Sequence, residues 1–245
     1  MFLIVAHRGY SGRYPENTIL SFKAATNTDA DFVELDVRRT ADKRLIVIHD
    51  RTLRRLFGVD VEVGSLKYNE ICKYKIRFGD SELSVPTLDE ALSVFVGKKQ
   101  HVIVEIKEGG YEQSVISVVR EADLEDRVIF ASFNFGVLRR ISKIDPSYPL
   151  LAISNIFTER ILRYALRVGA NILALRKDVI SREVVEICHR RGLMVNGWVI
   201  NDPDEAKRFF LMGVDIISTD FPEEIALLRK KISRSIIECL GVLLQ

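Results

Sequence analysis

The 245-residue sequence has little cysteine: Cys72, Cys188 and Cys239 are three in all, far apart and in no paired spacing. That scarcity excludes a disulfide framework and a structural zinc site, and it fits a reducing compartment. No apolar run approaches the roughly 20 residues of a membrane-spanning helix. The apolar stretch ahead of His7 is too short for a signal-peptide core and no basic region precedes it, so the expected location is the cytoplasm. An excess of one charge is also missing, with 36 Lys and Arg against 34 Asp and Glu and a formal net charge of +2. Without a basic block along the chain, no nucleic-acid partner is expected. What is plentiful is apolar: 47% hydrophobic residues beside 29% charged, a globular profile with a substantial core. The length suits one α/β barrel domain over residues 1–245.

Short Val- and Ile-rich runs alternate with amphipathic stretches, the pattern of a parallel α/β architecture. The runs are FLIVAH (2–7), FVELDV (32–37), LIVIHD (45–50), HVIVEIK (101–107), VIFASF (128–133), LLAIS (150–154), ILALR (172–176), MVNGWVI (194–200) and DIISTD (215–220). Only RRTADKR separates the second run from the third. A parallel crossover needs about a dozen residues, so LIVIHD pairs as an antiparallel hairpin strand. Eight crossover-linked strands remain, which predicts a (β/α)₈ TIM barrel with one extra hairpin strand. Thr87 with Glu90 reads as a capping box, and Asp202 with Pro203 as a helix start. Residues from about 51 to 86, between the second strand and the second helix, are too long for an ordinary loop and predict a small lid-like insertion.

In such barrels the chemistry sits at the carboxyl ends of the strands. Those ends carry His7 and Arg8, then Glu34 and Asp36, then Glu105 and Lys107, then Ser132, Arg176, Trp198, Asn201, Ser218 and Asp220, while His49 ends the hairpin strand. Glu34 and Asp36, two apart in a strand, leave the same face, and Glu105 and Lys107 repeat that spacing. Carboxylates crowded at a barrel mouth repel unless something positive holds them, and an all-oxygen set selects a hard divalent cation such as Mg²⁺ or Ca²⁺. Taken singly, several of these residues have plainer readings. Lys107 with Glu105 can be an ion pair closing a barrel layer, and a lone His7 a satisfied core histidine. Arg176 is open between pairing with barrel carboxylates and touching a ligand. Asp220, ahead of FP, reads as the cap of the last helix, and His101 and His189 as structural or exposed. The tail residues Ile232, Ile236, Ile237, Leu240, Leu243 and Leu244 follow helical spacing, either docking on the barrel or forming a homo-oligomer seam or a membrane-surface contact.

In order, HRG…PENT, ELDV, HD and EIK, continuing to ASF, NGWVIN and ISTDFPE, resemble the glycerophosphodiester phosphodiesterase family along nearly the whole chain. The resemblance implies hydrolysis of glycerophosphodiesters, such as glycerophosphocholine or glycerophosphoethanolamine, to glycerol 3-phosphate and an alcohol. It implies His7 and His49 as acid and base, and Glu34, Asp36 and Glu105 as ligands of one divalent cation, Mn²⁺ being a third candidate. It also implies Arg8 and Lys107 as phosphate-contacting cations, Glu16 and Asn17 of the PENT turn as substrate-binding residues, and Trp198 lining the pocket. Three features depart from the family pattern: the hairpin turn TADKR lacks its glycine, HDRTLRRLFG keeps Thr52, Leu53 and Arg55 but not the threonine pair that follows, and Val199 follows the tryptophan. These changes touch the insertion and the pocket wall and leave the alcohol group open. The alternative activity is a lysophospholipase D-like reaction on lysophospholipids. A non-catalytic phosphate-binding barrel would be expected to have lost a histidine or a carboxylate of the set. A sugar-phosphate isomerase barrel would need a glycine-rich phosphate cradle where NDPD and DFPE stand.

Overall fold

A strand rich in β-branched residues and flanked by helical segments can be covered on both faces, and this chain achieves that by closing a ring. The computed structural model describes residues 1–243, without the side chains of residues 236, 237 and 239–243. In chain order the strands are β1 (Leu3–Ala6), β2 (Phe32–Arg39), β3 (Leu45–Val47), β4 (Ile76–Phe78), β5 (Ser81–Leu83), β6 (His101–Ile106), β7 (Val128–Ser132), β8 (Leu150–Ser154), β9 (Ile172–Arg176), β10 (Met194–Trp198) and β11 (Ile216–Thr219). The helices are α1 (Ile19–Thr26), α2 (Arg54–Phe57), α3 (Tyr68–Ile71), α4 (Leu88–Ser93), α5 (Glu112–Glu121), α6 (Phe135–Ile144), α7 (Glu159–Arg167), α8 (Arg182–His189), α9 (Pro203–Met212) and α10 (Pro222–Leu243).

Strands β1, β11, β10, β9, β8, β7, β6 and β2 pair side by side in parallel, and β1 also pairs with β2, so the sheet closes as an eight-stranded (β/α)₈ barrel. Side chains alternate in or out of the ring with the strand period of two. Val33, Leu35 and Val37 face outward into the layer shared with the helices. Val5, Ile103, Ile129, Leu151, Ile172 and Ile216 fill the barrel interior.

The extra strand β3 is antiparallel to β2, and its placement governs the site. Strand β2 is eight residues long and its hairpin partner meets it only at the far end, with Arg39 opposite Leu45 and Val37 opposite Val47. At Val37 the other edge of β2 already belongs to β6. Strand β3 therefore lies on the same edge as β1, which pairs lower down at Phe32 and Val33. Between the two, at Asp36, the backbone carbonyl accepts from the Ile48 N–H at 2.9 Å and the N–H donates to Asn17 Oδ1 at 3.3 Å. The strand stops at Val47 rather than running to residue 50, because the β1–α1 loop occupies the rest of that edge. The ends of β1 and β3 thus converge on one gap.

Residues 51–86 carry α2, a single 3₁₀ turn at Val63–Ser65, α3 and the two-stranded sheet β4–β5. Ile46, Ile48, Leu53, Val63, Ile71 and Val85 form an apolar cluster of their own beneath this segment. Its hairpin reaches the β1–α1 loop, where the Phe78 ring meets Tyr14 at 5.7 Å between centroids. The helix starts fall as expected: Thr87 and Glu90 make a reciprocal capping box, and Asp202 accepts from Glu205 N ahead of Pro203. On α10, Ile232 packs partly against the core, while the side chains of Ile236, Ile237, Leu240, Leu243 and Leu244 lie outside the described residues. Among the described residues no helix is long and apolar enough to cross a membrane.

The buried cap at Thr87 yields a stability prediction. Thr87→Ala removes one of the two reciprocal bonds and should cost about 1 kcal/mol. In a chain of this size that lowers Tm by about 2–4 °C, read by calorimetry against the parent protein; an unchanged Tm would assign the cap no energetic weight.

Candidate active site

The gap between β1 and β3 is where the polar strand ends meet. Directly after β1 the chain turns through the left-handed region at both Arg8 (φ 55°) and Gly9 (φ 81°). A Cβ on Gly9 would lie 2.8 Å from the Ser21 carbonyl carbon, so only glycine lets this turn pack on α1. The turn aims the Arg8 N–H at Glu34 Oε2 (2.9 Å) and swings its guanidinium to within 3.3 Å of Asp36 Oδ2 and 3.0 Å of Glu16 Oε1. Asn17, also at positive φ, donates Nδ2 to Asp36 Oδ2 at 2.7 Å.

Glu34 and Asp36 share a face of β2, and the β2–β6 register sets Glu105 directly beside Asp36. Each of the three offers an oxygen within 4.8 Å of the others, and all three residues are buried. Lys107 Nζ bridges Asp36 Oδ1 at 2.8 Å and Glu105 Oε1 at 2.7 Å. Burial pushes Asp36 up, but Lys107 and Arg8 outweigh it and hold this carboxylate well below the usual range. Burial together with Asp36 and Glu105 pushes Glu34 well up. Glu105 rises to about 7, driven by burial against the pull of Lys107. Glu34 Oε1 is buried with no hydrogen-bond partner. Three hard carboxylate donors facing two cations, with one orphaned oxygen, are the donor set of a divalent oxygen-liganded ion. The residues present fit such an ion.

Both histidines sit at this mouth, each with a carboxylate behind it. His7 Nδ1 lies 2.8 Å from Asp220 Oδ1, and His49 Nδ1 lies 2.7 Å from Asp50 Oδ1. Asp220 is held at about 2, burial being outweighed by its bonds to His7, Asn201 and Ser11. Asp50 is also held low, its own burial being outweighed by His49 and Arg55. An ionised carboxylate only accepts, so in each ring Nδ1 carries the proton and Nε2 is left free. Burial lowers His49, favouring its neutral form.

Asp220 corrects the sequence expectation. Its carboxylate bonds to His7, Ser11 and Asn201 instead of capping the last helix, while Thr219 Oγ1 accepts the Phe221 N–H. Arg176 is exposed and forks onto Asp178 rather than onto the barrel carboxylates or the cavity. Ser132 donates to the Ile106 carbonyl, and Ser218 to Asn196. His101 stacks near Phe32, and His189 pairs with Asp215, an acid 26 residues away that local spacing could not reveal. Glu16, Asn17 and Lys107 stand behind the cavity, Glu16 on Arg8 and the other two on the carboxylates. Asp50 and Phe133 were not singled out by sequence, while Asn201 was named only as a polar strand end and Asp220 was read as a helix cap. The available signal was positional, since each lies within three residues of the end of a strand or of His49.

The cavity itself measures about 320 Å³ and has two unlike halves. One carries His7, Arg8, Glu34, His49 and Glu105; the other is walled by Ala131, Phe133, Leu151, Ile153 and Trp198. The Trp198 and Phe133 rings meet edge to face, 5.8 Å between centroids.

Comparison with known proteins places this geometry. A model of the glycerophosphoryl diester phosphodiesterase family matches residues 7–224, and the chain belongs to that family of phosphoric diester hydrolases. It is 35% identical over 238 residues to a glycerophosphodiester phosphodiesterase of Caldanaerobacter subterraneus, covering 94% of this chain and 98% of the relative. A human protein named lysophospholipase D is 23% identical over 263 residues, covering 90% and 84%. Among solved structures, an Oleispira antarctica phosphodiesterase in complex with the product sn-glycerol-3-phosphate shares the fold, with a TM-score of 0.83 at 22% identity over 93% of this chain and 96% of that one.

The carboxylate electrostatics predict proton-coupled ion binding. Glu34 and Glu105 are both raised, so a cation entering the cluster must displace protons. Affinity should therefore rise with pH through about 7, where Glu105 titrates. Calorimetric titration of Mg²⁺ into metal-free protein at pH 7 should give different heats in PIPES and in Tris; equal heats after dilution correction would show that no proton leaves.

Proposed function

We propose that the protein hydrolyses glycerophosphodiesters, such as glycerophosphocholine or glycerophosphoethanolamine, to glycerol 3-phosphate and an alcohol. The observation that carries this reading is the convergence, on one cavity, of two carboxylate-backed imidazoles with a buried cluster of three carboxylates and two cations. Glu34, Asp36 and Glu105 would hold one divalent cation, Mg²⁺ or Ca²⁺, with Mn²⁺ suited by the same donors. When bound, it would shield phosphate charge and lower the pKa of a ligated hydroxyl or water.

The chain's own residues supply the rest. Arg8 is the cation of the set that lines the cavity, so it meets the phosphate directly, while Lys107 keeps Asp36 ionised and draws Glu105 toward its charged form from behind. One imidazole Nε2 takes the proton of the attacking glycerol hydroxyl as that oxygen bonds to phosphorus. The other, in its protonated form, gives a proton to the alcohol oxygen as its bond to phosphorus breaks. The product of this step is a cyclic phosphate, which water opens with the two proton roles exchanged. Asp50 and Asp220 hold each ring in the tautomer that leaves Nε2 available and stabilise the imidazolium when it forms. Trp198 and Phe133 wall the side opposite the charges, where carbon-bearing parts of the substrate lie.

A second reading, lysophospholipid hydrolysis, is favoured by one observation. Phe133 and Ile153 also line an adjoining groove with Phe135, Ile156, Ile161 and Tyr164, and Phe133 and Ile156 are 45% and 53% exposed. An acyl chain bound there would bury apolar surface that water now covers.

Two measurements test these readings. Release of glycerol 3-phosphate from glycerophosphocholine should require a divalent ion and stop in EDTA, and His7→Ala or His49→Ala should each reduce kcat/KM by on the order of 10²–10⁴. Full turnover in EDTA-treated, metal-free protein would defeat the ion assignment, and normal turnover in a histidine variant would remove that residue's role. For the second reading, Phe133→Asp should lower kcat/KM for a lysophospholipid at least about tenfold more than for glycerophosphocholine, because it places a charge in the path of the chain. Equal losses would discard the acyl groove.

A further inference from the structure

The insertion meets the catalytic face through a set of bonds that neither the fold nor the proposed chemistry accounts for. Arg55, on α2, turns its whole guanidinium toward two carboxylates. Its Nη1 and Nη2 donate to Glu16 Oε2 at 2.8 Å and Oε1 at 2.6 Å, and its Nε donates to Asp50 Oδ2 at 2.6 Å. Each of those carboxylates has its other business in the site. Asp50 Oδ1 accepts from His49 Nδ1 at 2.7 Å, and Glu16 Oε1 accepts from Arg8 Nη1 at 3.0 Å. A continuous chain therefore runs from the His49 imidazole through Asp50, Arg55 and Glu16 to the Arg8 guanidinium.

We propose that Arg55 is a positioning residue that fixes the His49 ring and the Arg8 guanidinium relative to each other, making the insertion part of the assembly of the site. This rests on the reading of His49 as a proton-transfer group and Arg8 as a phosphate contact. Three features support a positioning role over a merely stabilising one. The Arg55 side chain is 47% exposed, so its ion pairs lie in high dielectric and add little to folding. Its anchor is separate, since the neighbouring Leu53 buries the helix start in the insertion's own cluster. Finally, a planar guanidinium that gives two parallel bonds to Glu16 and a third to Asp50 fixes the orientation of both carboxylates, which the single rotating ammonium of a lysine does not reproduce.

The test combines kinetics with the state of the imidazole. Arg55→Met should lower kcat on glycerophosphocholine by about 10- to 100-fold, the range for a partner that orients a reacting group, and raise KM as Arg8 loosens. Arg55→Lys should recover little of either, and millimolar methylguanidine should restore part of the kcat of Arg55→Ala. The Tm of Arg55→Met should stay within about 4 °C of the parent. The protein has four histidines, so ¹⁵N-edited imidazole spectra can follow His49 alone. The parent should show one Nδ1–H tautomer there, and Arg55→Met a mixture. Kinetic constants within twofold of the parent, an unchanged His49 spectrum, or a Tm drop well beyond that range would each overturn the proposal. Absence of hydrolysis in the parent would instead count against the activity, and the imidazole spectra would still decide on Arg55.

Discussion

Everything at the mouth of this barrel follows from crowding three carboxylates where water is scarce. Two unit charges of like sign about 4 Å apart repel by roughly 4 kcal/mol at the effective dielectric of a protein surface, and by more when deeper. Glu34, Asp36 and Glu105 are closer to buried than to surface groups, so the cluster exists only because Lys107 and Arg8 stand against it. Two cations balance two carboxylates and leave the third unmatched, so Glu34, with its unpartnered oxygen, is pushed toward its protonated form. In that state the mouth has no net positive charge to offer a phosphodiester, itself a monoanion. A divalent ion that displaced the protons of all three would leave one net positive charge, matched to the substrate. The same arrangement that makes the cluster costly without an ion makes it attractive to the diester with one.

The topology explains why these groups meet. The hairpin strand shares an edge of β2 with β1, and the unpaired stretch between them sits at Glu34 and Asp36. Whatever follows β1 and whatever follows β3 is therefore delivered to the carboxylates: His7 and Arg8 from one, His49 from the other. Two glycines let the β1–α1 loop stay close enough to close the gap. Gly9 allows contact with α1, and a Cβ on Gly12 would strike the Phe221 ring at 2.6 Å and the Asp220 carbonyl at 2.7 Å. Gly12 thereby keeps the His7 loop against the segment that carries the carboxylate behind His7.

The strand count, the hairpin and the same-face pairs Glu34–Asp36 and Glu105–Lys107 were legible because they depend on local period and loop length, which the chain displays directly. The carboxylate behind His7 was not. An Asp ahead of Phe-Pro has the same local signature whether it caps a helix or crosses to a neighbouring strand end, and only the closure of β11 onto β1 separates the two. Arg55 was visible as a residue of a motif but not as a bridge, because the insertion has no regular period from which to project a side chain. The apolar half of the cavity was equally hidden. Ala131, Leu151 and Ile153 read as ordinary strand residues, and nothing local distinguishes interior filling from pocket wall.

A last regularity concerns where the imidazole partners come from. The three clustered carboxylates stand on strands, whereas Asp50 and Asp220 stand on the loops just beyond, their side chains 23% and 28% exposed. Had those acids been set on the strands, they would have joined the cluster and deepened its repulsion. On the loops, partial solvation and local donors keep both ionised: Arg55 for Asp50, and Asn201 with Ser11 for Asp220. The division separates two demands that one carboxylate cannot meet, since a group that would ligate a cation gives up its proton only as the cation binds, while an imidazole partner must remain charged whether or not the cation is there. Strand geometry satisfies the first demand by proximity, and loop exposure satisfies the second. Loops beyond the strand ends can consequently differ among barrels of this type without disturbing the charge at the centre, provided each still returns an ionised acid to its histidine.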